Sequence, residues 1–292
     1  MAKTFTTLEV LRTEFLTDHM VRIWFGGAGF DDFAPVPAGA ARPDTDMYVK
    51  IVFPPAGRDV VYPEPFDADR VAAEFAPADQ PVLRTYTVRR YDPAAREIAI
   101  DFVVHGQAGI AGPWAARAQP GERVTVRGPG SGYRPDPQAT WHLLASDEAG
   151  LPALAAALEA MAPDAVVRAF IEVGGPGDEI ALTAPDGAEI TWVHRGAPSD
   201  AAADEVSGDH APLIAAVRQA VWLEGEPQVF IHGEAQTVMK NLRRYVRSER
   251  GVSARRAASI SGYWRRGRGE EGFRQWKAQE RTRQGADGPA PD

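Results

Sequence analysis

Four consecutive residues, Arg84-Thr85-Tyr86-Thr87, combine a cation, an aromatic ring and hydroxyls. That set suits a flavin: a cation for its pyrophosphate, an aromatic face for its ring system, a hydroxyl near its N5 nitrogen. The tetrapeptide opens a β-like run. Alternation puts Arg84 and Tyr86 on one side and Thr85 and Thr87 on the other. Alone, the pattern is more often that of an ordinary strand. A second feature follows within 30 residues. His105-Gly106-Gln107-Ala108-Gly109-Ile110-Ala111-Gly112-Pro113-Trp114-Ala115 begins where a strand ends. Its glycines allow close backbone approach, and amides at a helix start can hold phosphate. It is neither Gly-x-Gly-x-x-Gly nor a P-loop, and a plain turn into a helix is the alternative.

The elements that must position these residues change character midway. Phe5 to Leu11, His19 to Phe25, Asp46 to Phe53, Thr85 to Tyr91, Ile98 to Val104 and Arg123 to Arg127 read as short strands. Several alternate apolar and polar residues, as in Met47-Tyr48-Val49-Lys50-Ile51-Val52-Phe53. Six such strands predict a small antiparallel β-barrel. After Ser131–Ala139, with Pro135 and Pro137, the period switches. Strands at 140–145, 165–173, 190–194, 228–231 and 257–260 alternate with helical stretches at 151–161, 212–223 and 235–250. That order predicts a doubly wound parallel α/β sheet. The expected division is a barrel domain over 1–135 and an α/β domain over 140–283 ending in a basic helix. A Gly/Pro/Ala/Asp-rich tail over 284–292 is expected to be disordered.

Composition narrows the chemistry. The chain has 292 residues, no cysteine and a net charge of -8. Disulfides, thiolate zinc sites, cysteine-ligated clusters and cysteine nucleophiles are excluded. There is no signal-like apolar core and no run of membrane-spanning length, so a cytoplasmic protein is expected. Charge is uneven: Lys240 to Arg283 carries 14 Lys+Arg against 4 Asp+Glu. An acidic body repels nucleic acid, while the basic segment suits a small anion or an acidic partner; a solvated helix face is the alternative.

The landmarks occur in a definite order. Tyr48-Val49-Lys50 precedes Phe53-Pro54, followed by Arg84-Thr85-Tyr86-Thr87, Asp101-Phe102-Val103-Val104-His105-Gly106 and Ala111-Gly112-Pro113-Trp114-Ala115. Then come Gly128-Pro129, Asp147-Glu148 before Leu151-Pro152-Ala153, Trp192-Val193-His194-Arg195, Gly233-Glu234-Ala235 and Ser261-Gly262-Tyr263-Trp264-Arg265-Arg266-Gly267. This series resembles the siderophore-interacting protein family, FAD-dependent ferric-siderophore reductases of the vibriobactin-utilisation type with a ferredoxin-reductase-like fold.

The resemblance implies roles. Arg84 would contact the FAD phosphates, Tyr86 would lie against the isoalloxazine, and Thr87 would sit near N5. Ala111 and Gly112 would bind pyrophosphate through their amides, and His105 would lie near the ribityl or adenosine part. Thr85, Asp101, Val103, Gly109, Trp114 and Trp264 complete the implied cofactor set. Lys50, Arg265 and Arg266 would receive an anionic ferric siderophore. Three places depart from the family's pattern: His232 stands where Ala is usual, Gly150 replaces a commoner Ala, and Gln107-Ala108-Gly109-Ile110-Ala111 between His105-Gly106 and Gly112-Pro113 leaves the exact phosphate contacts open. His232 is expected to pack, with an effect on the nicotinamide side as the alternative.

The implied activity moves electrons from NAD(P)H or a ferredoxin through FAD to Fe(III), releasing Fe(II). No metal is expected as a resident cofactor, and no side chain need be an acid or nucleophile, in keeping with the lack of a triad or HExxH motif. A flavin reductase serving another acceptor, and a non-enzymatic siderophore- or flavin-binding protein, are the rival readings.

Overall fold

Twin alternations build the first half. In β3 (Tyr48–Phe53) Val49 and Ile51 are wholly buried while Tyr48 and Lys50 face outward. In β5 (Glu97–Val103) burial is nearly continuous. With β1 (Phe5–Thr17), β2 (Met20–Gly26), β4 (Val82–Asp92) and β6 (Arg123–Gly130), they close into a six-stranded antiparallel barrel ordered β1-β2-β5-β4-β3-β6. Its interior is filled by Leu8, Val10, Ile23, Phe25, Val49, Ile51, Ile98, Ile100, Phe102 and Val126. Closure leaves no open sheet edge. The computed structural model describes residues 5–33, 44–106, 109–268 and 272.

The second half is a five-stranded, wholly parallel sheet ordered β11-β10-β7-β8-β9. Its strands are β7 (His142–Ser146), β8 (Val167–Val173), β9 (Ala188–His194), β10 (Gln228–Glu234) and β11 (Ser259–Trp264). β7, the first in sequence, lies in the middle. β8 and β9 extend to one side, β10 and β11 to the other, so the order reverses between β7 and β10. Such a switch point leaves a crevice at the carboxyl ends of the two strands. α3 (Leu151–Ala160) and α4 (Pro212–Gln219) cover the sheet, together with two π-helical stretches, Gln236–Leu242 and Tyr245–Glu249. Two short helices, α1 (Ala68–Glu74) and α2 (Ala111–Ala115), belong to the barrel half.

The expected strands and helices therefore exist, with shifted ends. β1 runs on to Thr17, carrying Phe15 out to 55% exposure, because it forms a hairpin with β2 beyond the barrel wall. The helical stretch expected over 235–250 is π-wound over much of its length. Gln107 and Ala108 of the glycine turn, the basic helix expected to end the second half, and the 284–292 tail lie outside the described residues, Gly272 apart. Among the described residues no helix is long and apolar enough to cross a membrane.

Candidate active site

Antiparallel pairing of β3 with β4 sets Tyr48 opposite Thr87 and Lys50 opposite Thr85. The tetrapeptide thus shares its strip of wall with Lys50. Strict alternation does not survive at Thr87: it and its neighbour Val88 are both buried, next to a register shift between Val88 and Arg90. A bulge re-aims side chains in this way. Tyr86 turns inward against Phe102, with ring centroids 4.4 Å apart.

All four tetrapeptide residues line a cavity of about 650 Å³ between barrel and sheet. That size falls within the roughly 300–1,000 Å³ usual for ligand and cofactor sites. Of the other expected site residues, Lys50, Asp101, Val103, His105, Gly109, Ala111, Gly112, Trp264 and Arg265 also line it. Asp101 reaches the cavity already engaged: it accepts from Arg22 at 2.6 and 2.8 Å.

Two expected residues lie elsewhere. Trp114 is packed in the barrel against Phe25, Phe53 and Phe102, and its indole N–H donates to Glu122 at 3.0 Å. Its ring holds α2 against the barrel and stays out of the cavity. Arg266 turns to the other side of its strand end, donating to Ser207 Oγ at 2.7 Å and to the Ala202 carbonyl. Alternation along the chain separates it from Arg265, which does line the cavity.

Sequence reasoning missed several cavity residues. Arg268 joins Arg265 through a bridge just past β11. Tyr48 stands beside Thr87 on the barrel side, and Glu148, Ala149, Pro152, Ser199 and Tyr263 make much of the opposing wall. Tyr263 was legible as part of the Ser261–Gly267 signature, whereas Ser199 sits in a loop with no pattern of its own.

The cavity's fit to FAD can be tested on its own atoms. His105 Nδ1 is buried without a hydrogen-bond partner, the Asp200 carboxylate standing 3.4 Å away. A buried polar atom left unmatched is costly unless a ligand meets it. At Gly112 a Cβ would come within 3.1 Å of the Val103 carbonyl oxygen, a tight contact that glycine avoids, so the turn backbone packs close to the strand end. α2 has only five residues, which leaves the loop amides from Gly109 onward, not a helix dipole, to meet a phosphate. Arg84, Tyr86 and Thr87 then supply the cation, ring and hydroxyl. The residues present fit FAD.

The switch-point crevice is a contrasting place. It encloses about 20 Å³ and is lined by Asp147, Glu172, Arg195, Glu234 and Arg266 among others. Three carboxylates there cap the start of a helix from within the chain. Asp147 Oδ1 accepts from the Ala149 and Gly150 amides at 2.9 and 3.2 Å, entering α3. Glu172 accepts from the Leu213 amide at 2.9 Å, in the first turn of α4. Glu234 accepts from the Gln236 and Thr237 amides at 2.7 and 2.9 Å. Such amides are where open α/β sheets bind phosphate; here they are taken.

Arg195, itself buried, joins Glu148 at 2.5 Å and Glu172 at 2.9 Å. The other oxygen of Asp147 accepts from the Glu234 amide at 2.8 Å and from the Trp264 indole at 2.7 Å. Burial, with Glu148 adding to it, pushes Asp147 up to about 7 in spite of these donors. Burial also raises Glu172. Gly233, at φ 154°, is required beside this knot: a Cβ there would sit 2.8 Å from the Asp147 carboxyl. The amides at these helix starts are thus occupied by the chain's own carboxylates.

An antiparallel barrel joined to a doubly wound parallel sheet, with a cofactor-sized cavity between them, defines a ferredoxin-reductase-like flavoprotein. Two family models divide the chain: the siderophore-interacting FAD-binding domain matches residues 9–133, and the siderophore-interacting protein model matches 139–267. The ferric vibriobactin reductase of Vibrio cholerae is 30% identical, over 91% of this chain and 91% of its own. The NADPH-dependent ferric-chelate reductase of Escherichia coli is 33% identical over 89% of this chain and 92% of its own. A crystal structure of a siderophore utilization protein from T. fusca superposes with a TM-score of 0.73 at 36% identity, covering 92% and 95% of the two chains. The chain belongs to the siderophore-interacting protein family.

Proposed function

We propose that this chain is a cytoplasmic FAD-dependent ferric-siderophore reductase that releases iron as Fe(II). The carrying observation is the cavity between barrel and sheet. One wall holds Arg84, Thr85, Tyr86 and Thr87; cations Lys50, Arg265 and Arg268 stand at the same cavity. The ferric reductases named among its relatives support the reading.

Bound there, FAD would supply the step-down from a two-electron donor to a one-electron metal acceptor. The protein's own residues do the rest. Arg84 neutralises the phosphates, with the Ala111 and Gly112 amides helping. Tyr86, braced on Phe102, presents its ring to the isoalloxazine. Thr87 would offer its hydroxyl to the N5 edge of the ring, and His105 would meet the ribityl or adenosine part. Lys50, Arg265 and Arg268 raise the local concentration of an anionic chelate. The hard anionic oxygens of a siderophore hold Fe(III) far better than Fe(II), so reduction loosens the complex.

The donor is NAD(P)H or a ferredoxin. The capped, carboxylate-lined crevice argues against a dinucleotide lying between β7 and β10. It favours a donor that delivers electrons at the mouth of the large cavity, whether a nicotinamide or an acidic ferredoxin drawn by the basic C-terminal segment.

The test is an anaerobic reconstitution. Purified protein is loaded with FAD, then given NADH, NADPH or reduced ferredoxin, ferric siderophores and an Fe(II) trap. Flavin bleaching followed by trapped Fe(II) is the expected result. A protein that never takes up FAD sinks the proposal. Bleaching without Fe(II) would favour a reductase with another acceptor.

A further inference from the structure

Thr87 does not end at the cavity wall. Thr87 and Tyr263 line the same cavity, and Thr87 acts on the Tyr263 hydroxyl as a neighbouring hydrogen-bonding group. Tyr263 Oη lies 2.6 Å from His232 Nδ1, and His232 Nε2 lies 3.0 Å from Ser259 Oγ. A continuous string of exchangeable protons therefore runs from the cavity, through Thr87, Tyr263 and His232, to half-buried Ser259 at the start of β11.

Gly150 lies directly against the His232 backbone. A methyl group at 150 would stand 2.6 Å from the His232 carbonyl oxygen and 2.8 Å from Ser146 Cβ. The imidazole is 3% exposed and clamped between the rings of Phe230 and Tyr263, with centroids at 3.9 and 4.6 Å. A packing role alone does not call for two hydrogen-bonded ring nitrogens.

The string can be polarised in two senses. In one, Ser259 donates to Nε2, Nδ1–H donates to Tyr263, Tyr263 to Thr87, and Thr87 into the cavity. In the other every donor is reversed, and His232 carries its proton on Nε2. Each hydroxyl donates once and accepts once in both senses. Imidazole is the side chain that can exchange one for the other by changing tautomer while staying neutral. Burial raises the Tyr263 hydroxyl, so it stays protonated between exchanges. Of the nearby acids, Asp46 accepts at Oδ1 from the Gly132 and Tyr133 amides, and Asp147 accepts from four N–H groups on its two oxygens. They do not compete for the Tyr263 proton.

We propose that Thr87, Tyr263, His232 and Ser259 form a proton conduit serving flavin N5, with His232 as its tautomeric switch. This rests on the flavin reading above, with Thr87 beside N5. Oxidised N5 is an acceptor, so Thr87 must donate; reduced N5–H is a donor, so Thr87 must accept. When two electrons leave for two Fe(III) centres, the N5 proton passes to Thr87 Oγ. The Thr87 proton passes to Tyr263, that of Tyr263 to Nδ1, that of Nε2 to Ser259, and that of Ser259 to solvent. No member keeps a net charge. Tyr263, His232 and Ser259 act through Thr87 and are positioning and relay residues.

The direct test is ¹⁵N NMR of the histidine rings in the FAD-loaded protein, oxidised and then reduced with dithionite, without siderophore. His232→Asn identifies the signal among the chain's 6 histidines. The expected result is an Nδ1–H tautomer when oxidised and Nε2–H when reduced. One tautomer in both states, or a doubly protonated ring, overturns the conduit. His232→Asn offers Tyr263 a partner at the Nδ1 position but cannot exchange tautomers. It should bind FAD within about twofold of the parent, yet lower ferric-siderophore turnover about 100-fold, the low end of what positioned proton transfer contributes. Tyr263→Phe should match it. Full turnover in His232→Asn overturns the proposal even if the fold and flavin are intact. Failure to bind FAD in the parent would overturn the flavin reading itself, and this one with it.

Discussion

Two hollows in this molecule lie a few residues apart and are built on opposite plans. The cavity between barrel and sheet holds about 650 Å³ and draws its cations from Lys50, Arg84, Arg265 and Arg268. The crevice at the switch point, where open α/β sheets place their ligands, holds about 20 Å³ and is crowded with Asp147, Glu172 and Glu234. The first is left open by its side chains; the second is closed by them. In the second, three helix starts that would bind phosphate instead bind the chain's own carboxylates. The crevice is filled by a knot of the chain's own ion pairs and hydrogen bonds, and the larger hollow lies at the seam between the halves.

The comparison breaks most decisively at Arg195. It is the buried cation between Glu148 and Glu172. Arg195→Met leaves those carboxylates without their partner, and removing one member of a buried pair costs about 3–5 kcal/mol. Urea unfolding should show that loss, while FAD affinity changes far less. A variant as stable as the parent would mean the knot is not structural.

Arg84→Ala attacks the open hollow. A charge-assisted hydrogen bond contributes about 1.5–3 kcal/mol, so FAD affinity should fall roughly 10- to 100-fold. The fluorescence of released flavin measures this, and stability should barely move. Lys50→Ala should act more gently. One rim cation is worth about 1 kcal/mol or less, so KM for an anionic ferric siderophore should rise no more than about fivefold. FAD should stay bound, and the difference should shrink as salt is added. Loss of flavin instead would place Lys50 at the cofactor.

These two hollows were not equally legible in the sequence. The barrel, the parallel sheet and the tetrapeptide follow from period, because alternation and helical spacing are local. Arg265 and Arg266 are neighbours in sequence and look equivalent there. Only the strand end shows that one faces the cavity while the other ties down Ser207 and Ala202. Trp114 likewise sits in a motif whose neighbours line the cavity, yet its ring completes the barrel core. The crevice was invisible because its members, Asp147, Glu172, Arg195 and Glu234, come from four strand ends that only the sheet order brings together. His232 read as a packed residue; its proton string needed β10 set beside β11 in parallel register.

The finest probe of the contrast is the proton on Asp147. Burial raises it to about 7, from an ordinary value of 3.8. Four N–H groups point at its oxygens and favour the charged form, but the surroundings exclude water and Glu148 stands near. Between about pH 4 and 7 the folded protein then holds a proton that the unfolded chain has released. Stability from this group is complete below pH 4 and drains away as the pH rises through 7. Asp147→Asn cannot titrate. It should be less stable overall, since an amide nitrogen must face at least one N–H donor. The gap between parent and variant should nevertheless narrow from pH 5 to pH 8, read from urea midpoints at each pH. A gap that stays flat over that range would show that the four donors outweigh burial and hold Asp147 ionised. The crevice would then be a built anion site occupied by a charged side chain, and its exclusion of a dinucleotide's phosphates would be stronger still.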